Sequence, residues 1–587
     1  MKDLRRTALA DDHAHPRQWP TRRGWWLLLF VLALVWALWQ AGVVGRDLIN
    51  EGGWVLMARF FRAALQPALQ ANFLQLTAQA TLTTLAYAVA GAFFSVLIGG
   101  AGALLSSELW WQSLLQHGRQ GVRRPVQRAP WLAVRALLAV PRGIHELLWG
   151  LLLLNVFGLD PLTAILAIAI PYGAITAKVF AEMLDEAPRE PYYAVLNSGA
   201  TLLHAFLYTL VPQTLPDLLS YAFYRFECAI RAAAVLGIIG AGGLGYQILL
   251  SLQSLRYQEL WTLFYALVLL TGLADVWSSL LRRRLSRGSR RAAATDWEAG
   301  ARNSHAAPQS GGGGPDRLVR ASLLLAAALI PLSFWYVGPD FGKLWDPRSA
   351  HLLQEIAAQA WPPRLAPDFL HQALALSGKT LAMSILAATL AALGGMVLSF
   401  PAANNFLLPG GLLSRGRRSP GGDLWRYLLW GSARLLLLFM RAIPAPIWAL
   451  VLLFVFFPGI LPGALALAIY NMGILGRLMA EVVENQPPQP LHALQATGAS
   501  GGQLFLYGSL PLALPRFLAY GLYRWEIAIR ATVIVGLVGA GGLGRELTQQ
   551  LSRFDYRSVV VTLALYIALT FMVDLISAGA RRAWREG

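Results

Sequence analysis

Charge is what this sequence is short of. Charged residues make up 14% of its 587 positions, against 56% hydrophobic ones. A soluble chain of this length would divide into several domains with charged surfaces. So lean a supply cannot cover them, and it implies a chain solvated largely by lipid. Cysteine is scarcer still: Cys228 is the single one, which excludes a disulfide framework and a cysteine metal site. It lies in an apolar stretch, where a small buried side chain is expected. The nine histidines are scattered. No metal-ligand cluster, nucleophile–base set or paired catalytic carboxylates stand out, which argues against a membrane enzyme. Acid is scarce beside base, with 31 Asp and Glu against 49 Lys and Arg and a net charge of +18. The basic residues fall in short blocks between apolar runs, not on a solvated face with interleaved aromatics. That pattern excludes nucleic acid as a partner.

What the chain has in plenty is long apolar runs. About 20 such residues cross the hydrocarbon layer as a helix. Runs near 25–45, 78–105, 131–157, 161–184, 217–245 and 259–281 fill the first half. Others near 318–338, 377–402, 425–457, 461–483, 516–544 and 558–580 fill the second. The expectation is an all-α polytopic membrane protein of about twelve transmembrane helices, kinked at prolines such as Pro141, Pro171 and Pro444. The first run lacks a small-residue cleavage site and reads as a retained span, not a signal peptide.

Basic blocks at Arg5-Arg6 and Arg22-Arg23, Arg119 to Arg128, Arg282 to Arg291, Arg415 to Arg418, and Arg581-Arg582 all fall on one side of such a layout. By the excess of Lys and Arg in cytoplasmic loops, both termini are expected in the cytoplasm. Segments 46–76 and 339–374 then lie outside. Residues 285–317, with Gly311 to Gly314 before Pro315, read as a flexible cytoplasmic linker between domains 1–284 and 318–587. The linker joins two ends on the same side, so the two six-helix halves are parallel, not inverted.

The halves repeat. Glu182 returns as Glu481, an offset of 299, and the skeleton from there to Gly245 returns without a gap up to Gly544. A period this long marks a duplicated domain, not a solenoid unit. Two nucleotide-like motifs fail on context. Gly378-Lys379-Thr380 loosely fits a phosphate-binding loop but opens an apolar helix with no preceding strand; at the offset of 299 its counterparts are Gln79-Ala80-Thr81. Gly240-Ala-Gly242-Gly243-Leu-Gly245 and Gly539-Ala-Gly541-Gly542-Leu-Gly544 fit a dinucleotide fingerprint, yet both follow apolar helices. They are expected to be glycine-rich breaks or close-packing points in spanning helices.

Between the fourth and fifth runs stand Tyr193-Ala194…Gly199…Pro212 and His492-Ala493…Gly498…Pro511. This loop resembles the coupling loop of ATP-binding-cassette importer permeases. Tyr224-Arg225-Phe-Glu227…Arg231 with its glycine run, and Tyr523-Arg524-Trp-Glu526…Arg530 with its own, are similar to the phosphonate and phosphite branch of that family. The likeness covers the last three helices of each half; Tyr193 and His492 stand where the family usually has Glu. It implies a type I ABC importer permease fold and a translocation path for phosphonate, phosphite or a similar small oxyanion. The implied partners are two cytoplasmic ATP-binding subunits, a periplasmic substrate-binding protein and the lipid bilayer of an inner membrane. The resemblance implies no cofactor in this chain, ATP and Mg being bound by the ATPase subunits. Alternatives are a permease for another small solute such as methionine, or an ion-coupled secondary transporter. Glu227 and Arg231, like Glu526 and Arg530, are four residues apart and share a helix face. Each pair either neutralises itself, with Asp275 or Asp574 in reach, or offers positive potential to an anion. Lys178 and Arg477, also at matching positions, are further candidates.

Overall fold

The computed structural model describes residues 22–43, 45, 47–116, 124–301, 317–409, 411 and 420–585. The basic residues Arg5, Arg6, Arg119 and Arg415 to Arg418, and linker residues 302–316, lie outside them. Among the described residues the chain is helical, and its one β feature is an isolated bridge between Ile49 and Phe456.

The first half comprises α1 (Arg22–Gln40), α2 (Ala71–Ser106), α3 (Arg124–Gly143), α4 (Glu146–Phe157) and α5 (Pro161–Asp185). It continues with α6 (Glu190–Asn197), α7 (Val211–Leu236), α8 (Gly243–Gln253) and α9 (Tyr257–Ala301). The second half repeats them in order. It contains α10 (Arg317–Val337), α11 (Pro367–Ala402), α12 (Pro420–Ala442), α13 (Ala445–Leu452) and α14 (Ile460–Glu484). It ends with α15 (Pro488–Ala496), α16 (Leu510–Val535), α17 (Gly542–Ser552) and α18 (Tyr556–Arg585). α9 runs on to Ala301, so the expected linker begins as helix.

Seven single helices are long and apolar enough to cross a membrane, and four bent pairs bring the number to 11. The remaining run, Gly24–Gln40, is apolar but shorter. The expected kinks and glycine breaks turn out to be sharp bends in two pairs of spans. The runs at 131–157 and 425–457 bend by 86° and 94° between α3 and α4 and between α12 and α13. Prolines explain the bends: Pro141 and Pro446 have no N–H to donate, and Pro444 caps α13 from an extended conformation. On the other side His145 caps α4, its Nδ1 accepting from the Leu147 N–H at 3.3 Å. The runs at 217–245 and 516–544 bend by 58° and 71° where α7 meets α8 and α16 meets α17. Pro171 lies within α5, which continues through it.

Small residues let the long helices touch. α2 packs along α5, and α11 along α14. A Cβ on Gly99 would stand 2.4 Å from Thr176 Cγ2, and one on Gly395 would stand 3.0 Å from Leu475 Cβ. Without a water-driven force between spans, this close approach supplies the van der Waals contact that holds them. The halves also exchange their first helices: α1 lies on α11 of the second half, and α10 on α2 of the first. Trp36 reaches Gly378, and Phe93 and Phe94 stack edge-on with Phe334. One apolar cluster contains Leu147, Val235 and Leu244 of the first half together with Met383, Trp448 and Val535 of the second.

α5 sets the two ends of the bundle. It spans 25 residues, about 37 Å of helix. At its start Asp160 accepts from Lys343 Nζ at 2.8 Å, tying it to segment 339–374. At its end Asp185 leads into α6. The expected outer segments and the expected coupling loops therefore sit at opposite ends.

Candidate functional site: a cavity between the halves

α7 and α16 face each other across a cavity of about 980 Å³. Eight arginines line it: Arg142, Arg225, Arg231 and Arg282 from one half, Arg441, Arg477, Arg524 and Arg530 from the other. Five carboxylates join them, those of Glu146, Glu186, Asp217, Glu227 and Glu481, so the lining is net positive. The lining reaches Ala187 and Pro188 beside α6 and extends only to Val235 and Ile534 toward the opposite end.

Charge in a poorly hydrated place must be paired or put to use. Arg231 Nη1 donates to Glu227 Oε1 at 3.0 Å, while Arg282 approaches Glu227 Oε2 at 3.9 Å. The second half uses different partners. Glu526 takes Arg581 at 2.5 Å, and Arg530 turns to Asp574 at 3.3 Å. Asp275, the counterpart of Asp574, instead crosses to the other half and holds both Arg441, at 2.5 Å, and Arg477. Lys178, the counterpart of Arg477, stays with Glu182 at 3.7 Å. Sequence symmetry at the offset of 299 is thus broken in the ion pairs.

Arg225 and Arg524 occupy equivalent positions, and both are more than nine-tenths buried. Arg225 donates to Tyr221 Oη at 2.9 and 2.5 Å and lies over the rings of Tyr172 and Tyr221 at 5.1 and 5.0 Å. Arg524 has no hydrogen bond or ion pair among the described residues, and its Nε is buried without a partner. Sequence reasoning gave no role to Arg142, Arg441, Arg225 or Arg524, and placed Asp275 only beside its own half. The signal was available, since Arg142 recurs as Arg441, Arg225 as Arg524 and Arg282 as Arg581.

Above the cavity the two glycine runs end α7 and α16. Gly240, Gly242 and Gly243 have φ of +97°, +88° and +71°, and Gly539, Gly541 and Gly542 have +112°, +78° and +72°. L side chains rarely adopt such angles. Gly245 and Gly544 serve packing: a Cβ would stand 1.8 Å from the Ala234 carbonyl oxygen and 2.5 Å from that of Val533. Each bend is tied to a neighbouring helix by a threonine. Thr84 Oγ1 accepts from the Leu244 N–H at 2.8 Å, and Thr380 Oγ1 from the Leu543 N–H at 2.9 Å. Thr380 is thus the structural counterpart of Thr84, not of Thr81, because α2 and α11 align three residues away from the offset of 299. The hydroxyl of the phosphate-loop-like Gly378-Lys379-Thr380 is engaged in this tie.

At the other end α6 and α15 are short helices, each followed by a glycine in the left-handed region, Gly199 at φ +93° and Gly498 at +82°. Tyr193 and Ala194 lie on α6, His492 and Ala493 on α15. Thr201 and Ser500 cap the next turns, and Pro212 and Pro511 sit in the first turns of α7 and α16.

Two parallel helical halves, broken spans and short helices at one end define a membrane permease. Residues 128–291 and 429–585 each match the family of binding-protein-dependent transport system inner membrane components. The chain belongs to that family, with its domain present twice. A phosphate-import permease of Mycolicibacterium smegmatis is 27% identical over 451 residues, covering 76% of this chain and 77% of that protein. A phosphite transport system permease of Stutzerimonas stutzeri is 34% identical over 260 residues, covering 44% of this chain and 86% of that one. Among solved structures, an inward-facing methionine ABC transporter, MetNI, covers 37% of this chain and 99% of its own, with a TM-score of 0.31 and 21% identity.

Proposed function

We propose that this chain is the two-domain translocation unit of an ATP-driven importer for a phosphorus oxyanion such as phosphonate, phosphite or phosphate. Domains 1–284 and 318–587 each contribute one wall of the path, with 285–317 as the cytoplasmic connection. The observation that carries the reading is the net positive cavity between α7 and α16, in a chain whose relatives are named for phosphate and phosphite. A tetrahedral oxyanion suits guanidinium groups, which offer paired donors in one plane. The chain itself performs no catalysis. Two cytoplasmic ATPases dock at α6 and α15, and a periplasmic binding protein delivers the ligand to the opposite end, both termini being cytoplasmic. ATP binding draws the halves together and hydrolysis resets them.

The test is uptake of labelled phosphite, methylphosphonate and phosphate by cells supplied with a cognate ATPase and binding protein. Uptake of at least one, abolished by an inactive ATPase, is expected. Uptake that persists without the ATPase and follows a proton or sodium gradient would mean a secondary transporter instead.

A further inference from the structure

We infer that the group holding the anion inside the cavity is Arg524, a residue to which the ion-pair network assigns no partner; this rests on the oxyanion reading above. The reasoning is by elimination among the eight arginines that line the cavity: Arg282 approaches Glu227 at 3.9 Å, and Arg142 is only partly buried, so a counter-charge from solvent is open to it. Arg231 is engaged by Glu227, Arg530 by Asp574, and Arg441 and Arg477 by Asp275. Arg225 is held by the Tyr221 hydroxyl and by tyrosine rings. Arg524 is the same residue in the other half, 8% exposed and facing the same cavity, yet among the described residues no ion pair or hydrogen bond engages it and its Nε is buried without a partner. A buried guanidinium without a counter-charge is costly, so a site that retains one is built to receive an anion.

Tyr221, which holds Arg225, recurs as Tyr520, so the sequence difference between the two sites lies elsewhere. Tyr172, which lies under Arg225, is replaced at the equivalent position by Asn471. Asn471 also lines the cavity, is buried, and leaves its Oδ1 without a partner. Exchanging a tyrosine for an asparagine removes the ring on which the guanidinium would rest and leaves room in its place. Its Nδ2 donates to the Leu467 carbonyl at 2.8 Å, which leaves Oδ1 to accept from a protonated ligand oxygen. The ligand class is a tetrahedral monoanion or dianion with at least two free oxygens, gripped from one side by a two-pronged cation.

The single cysteine supplies the probe. Cys228 lines the same cavity, so an occupant there hinders its alkylation by a small maleimide. The full-length chain in lipid nanodiscs is labelled with increasing phosphite, methylphosphonate or phosphate, with glycine betaine and methionine as comparison solutes. Wild-type protection by a phosphorus oxyanion is expected. In Arg524→Gln the half-protecting concentration should rise about ten- to a hundredfold, the loss of one charge-assisted contact. Arg524→Lys should retain part of it, since the charge stays while the planar fork is lost. Asn471→Tyr keeps Arg524 but gives it a ring to rest on, and should also weaken protection. An unchanged labelling rate without ligand, together with a monodisperse elution profile, establishes that each variant is folded. Equal protection in wild type, Arg524→Gln and Asn471→Tyr overturns the assignment while leaving the oxyanion reading intact. Protection by glycine betaine or methionine, and by no phosphorus oxyanion, overturns both.

Discussion

Asp160 shows how one side chain can bind two halves. It caps α5 through the Leu162 N–H at 2.8 Å and also receives Lys343 Nζ at 2.8 Å from beyond α10. Burial pushes its carboxyl upward, but the bonds from Lys343, Leu162 and Asp340 outweigh it and hold the pKa below the ordinary value of 3.8. The sign follows from that depression. The stabilisation is fully present above the unfolded pKa of about 4 and is lost as pH falls through the lower folded value. Asp160→Asn should cost about 1–2 kcal/mol at neutral pH. Its thermal unfolding in detergent should lose the part of the pH dependence that the wild type shows below about pH 4. An identical pH profile in both proteins would refute the clasp.

At the scale of elements, the bends matter more than the helices. The Thr84 and Thr380 hydroxyls satisfy N–H groups of Leu244 and Leu543 that a broken helix would otherwise leave buried and unpaired. Replacing either by Val removes the acceptor at nearly constant shape and should cost about 1–3 kcal/mol, read as a lower unfolding temperature. Replacement by Ser should restore most of it. The loops at the opposite end invite a different experiment. No atom lies within 4 Å of a Cβ built on Gly199 or Gly498, so substitution there strains only the backbone. A Gly199→Val, Gly498→Val double variant should insert normally, at a local cost of about 1–2 kcal/mol per site. If α6 and α15 dock the ATPases, its ligand-stimulated ATP hydrolysis and its transport should fall together. Normal coupled hydrolysis in the double variant would remove the docking assignment.

For the molecule as a whole, the exchange of α1 and α10 and the Asp275 cluster make the halves one body with unequal sides. Asp275 neutralises two arginines of the other half, whereas Asp574 holds one of its own. Asp275→Asn strands the buried Arg441, leaves Arg477 with Glu481 alone, and should destabilise the chain by about 3–5 kcal/mol. Asp574→Asn should cost less, because Arg530 and Asp574 are more exposed than Arg441 and Asp275. Unfolding midpoints of the two variants compare them directly; equal losses would deny the asymmetry.

The sequence by itself determined the all-helical membrane class, the duplication and the family, because each is written in local composition or in residues repeated at a fixed spacing. Apolar runs need only be counted, and the glycine runs announce backbone angles that L side chains rarely adopt. The bends near Pro141 and Pro444 were legible as proline kinks, but their depth was not, since a missing N–H states where a helix weakens and not how far it turns. Only tertiary structure decided which charges meet. Glu526 and Arg530 share a helix face, as their spacing requires, yet each finds a partner on α18. Asp275 reaches across to α12 and α14. Helical periodicity fixes the direction of a side chain but says nothing of the helix opposite, and Coulomb energy in a poorly hydrated interior depends on that neighbour. Arg524 carries the same lesson: the sequence makes it the twin of Arg225, and only the fold shows that Tyr172 lies against Arg225 while Asn471 stands at that place in the other half.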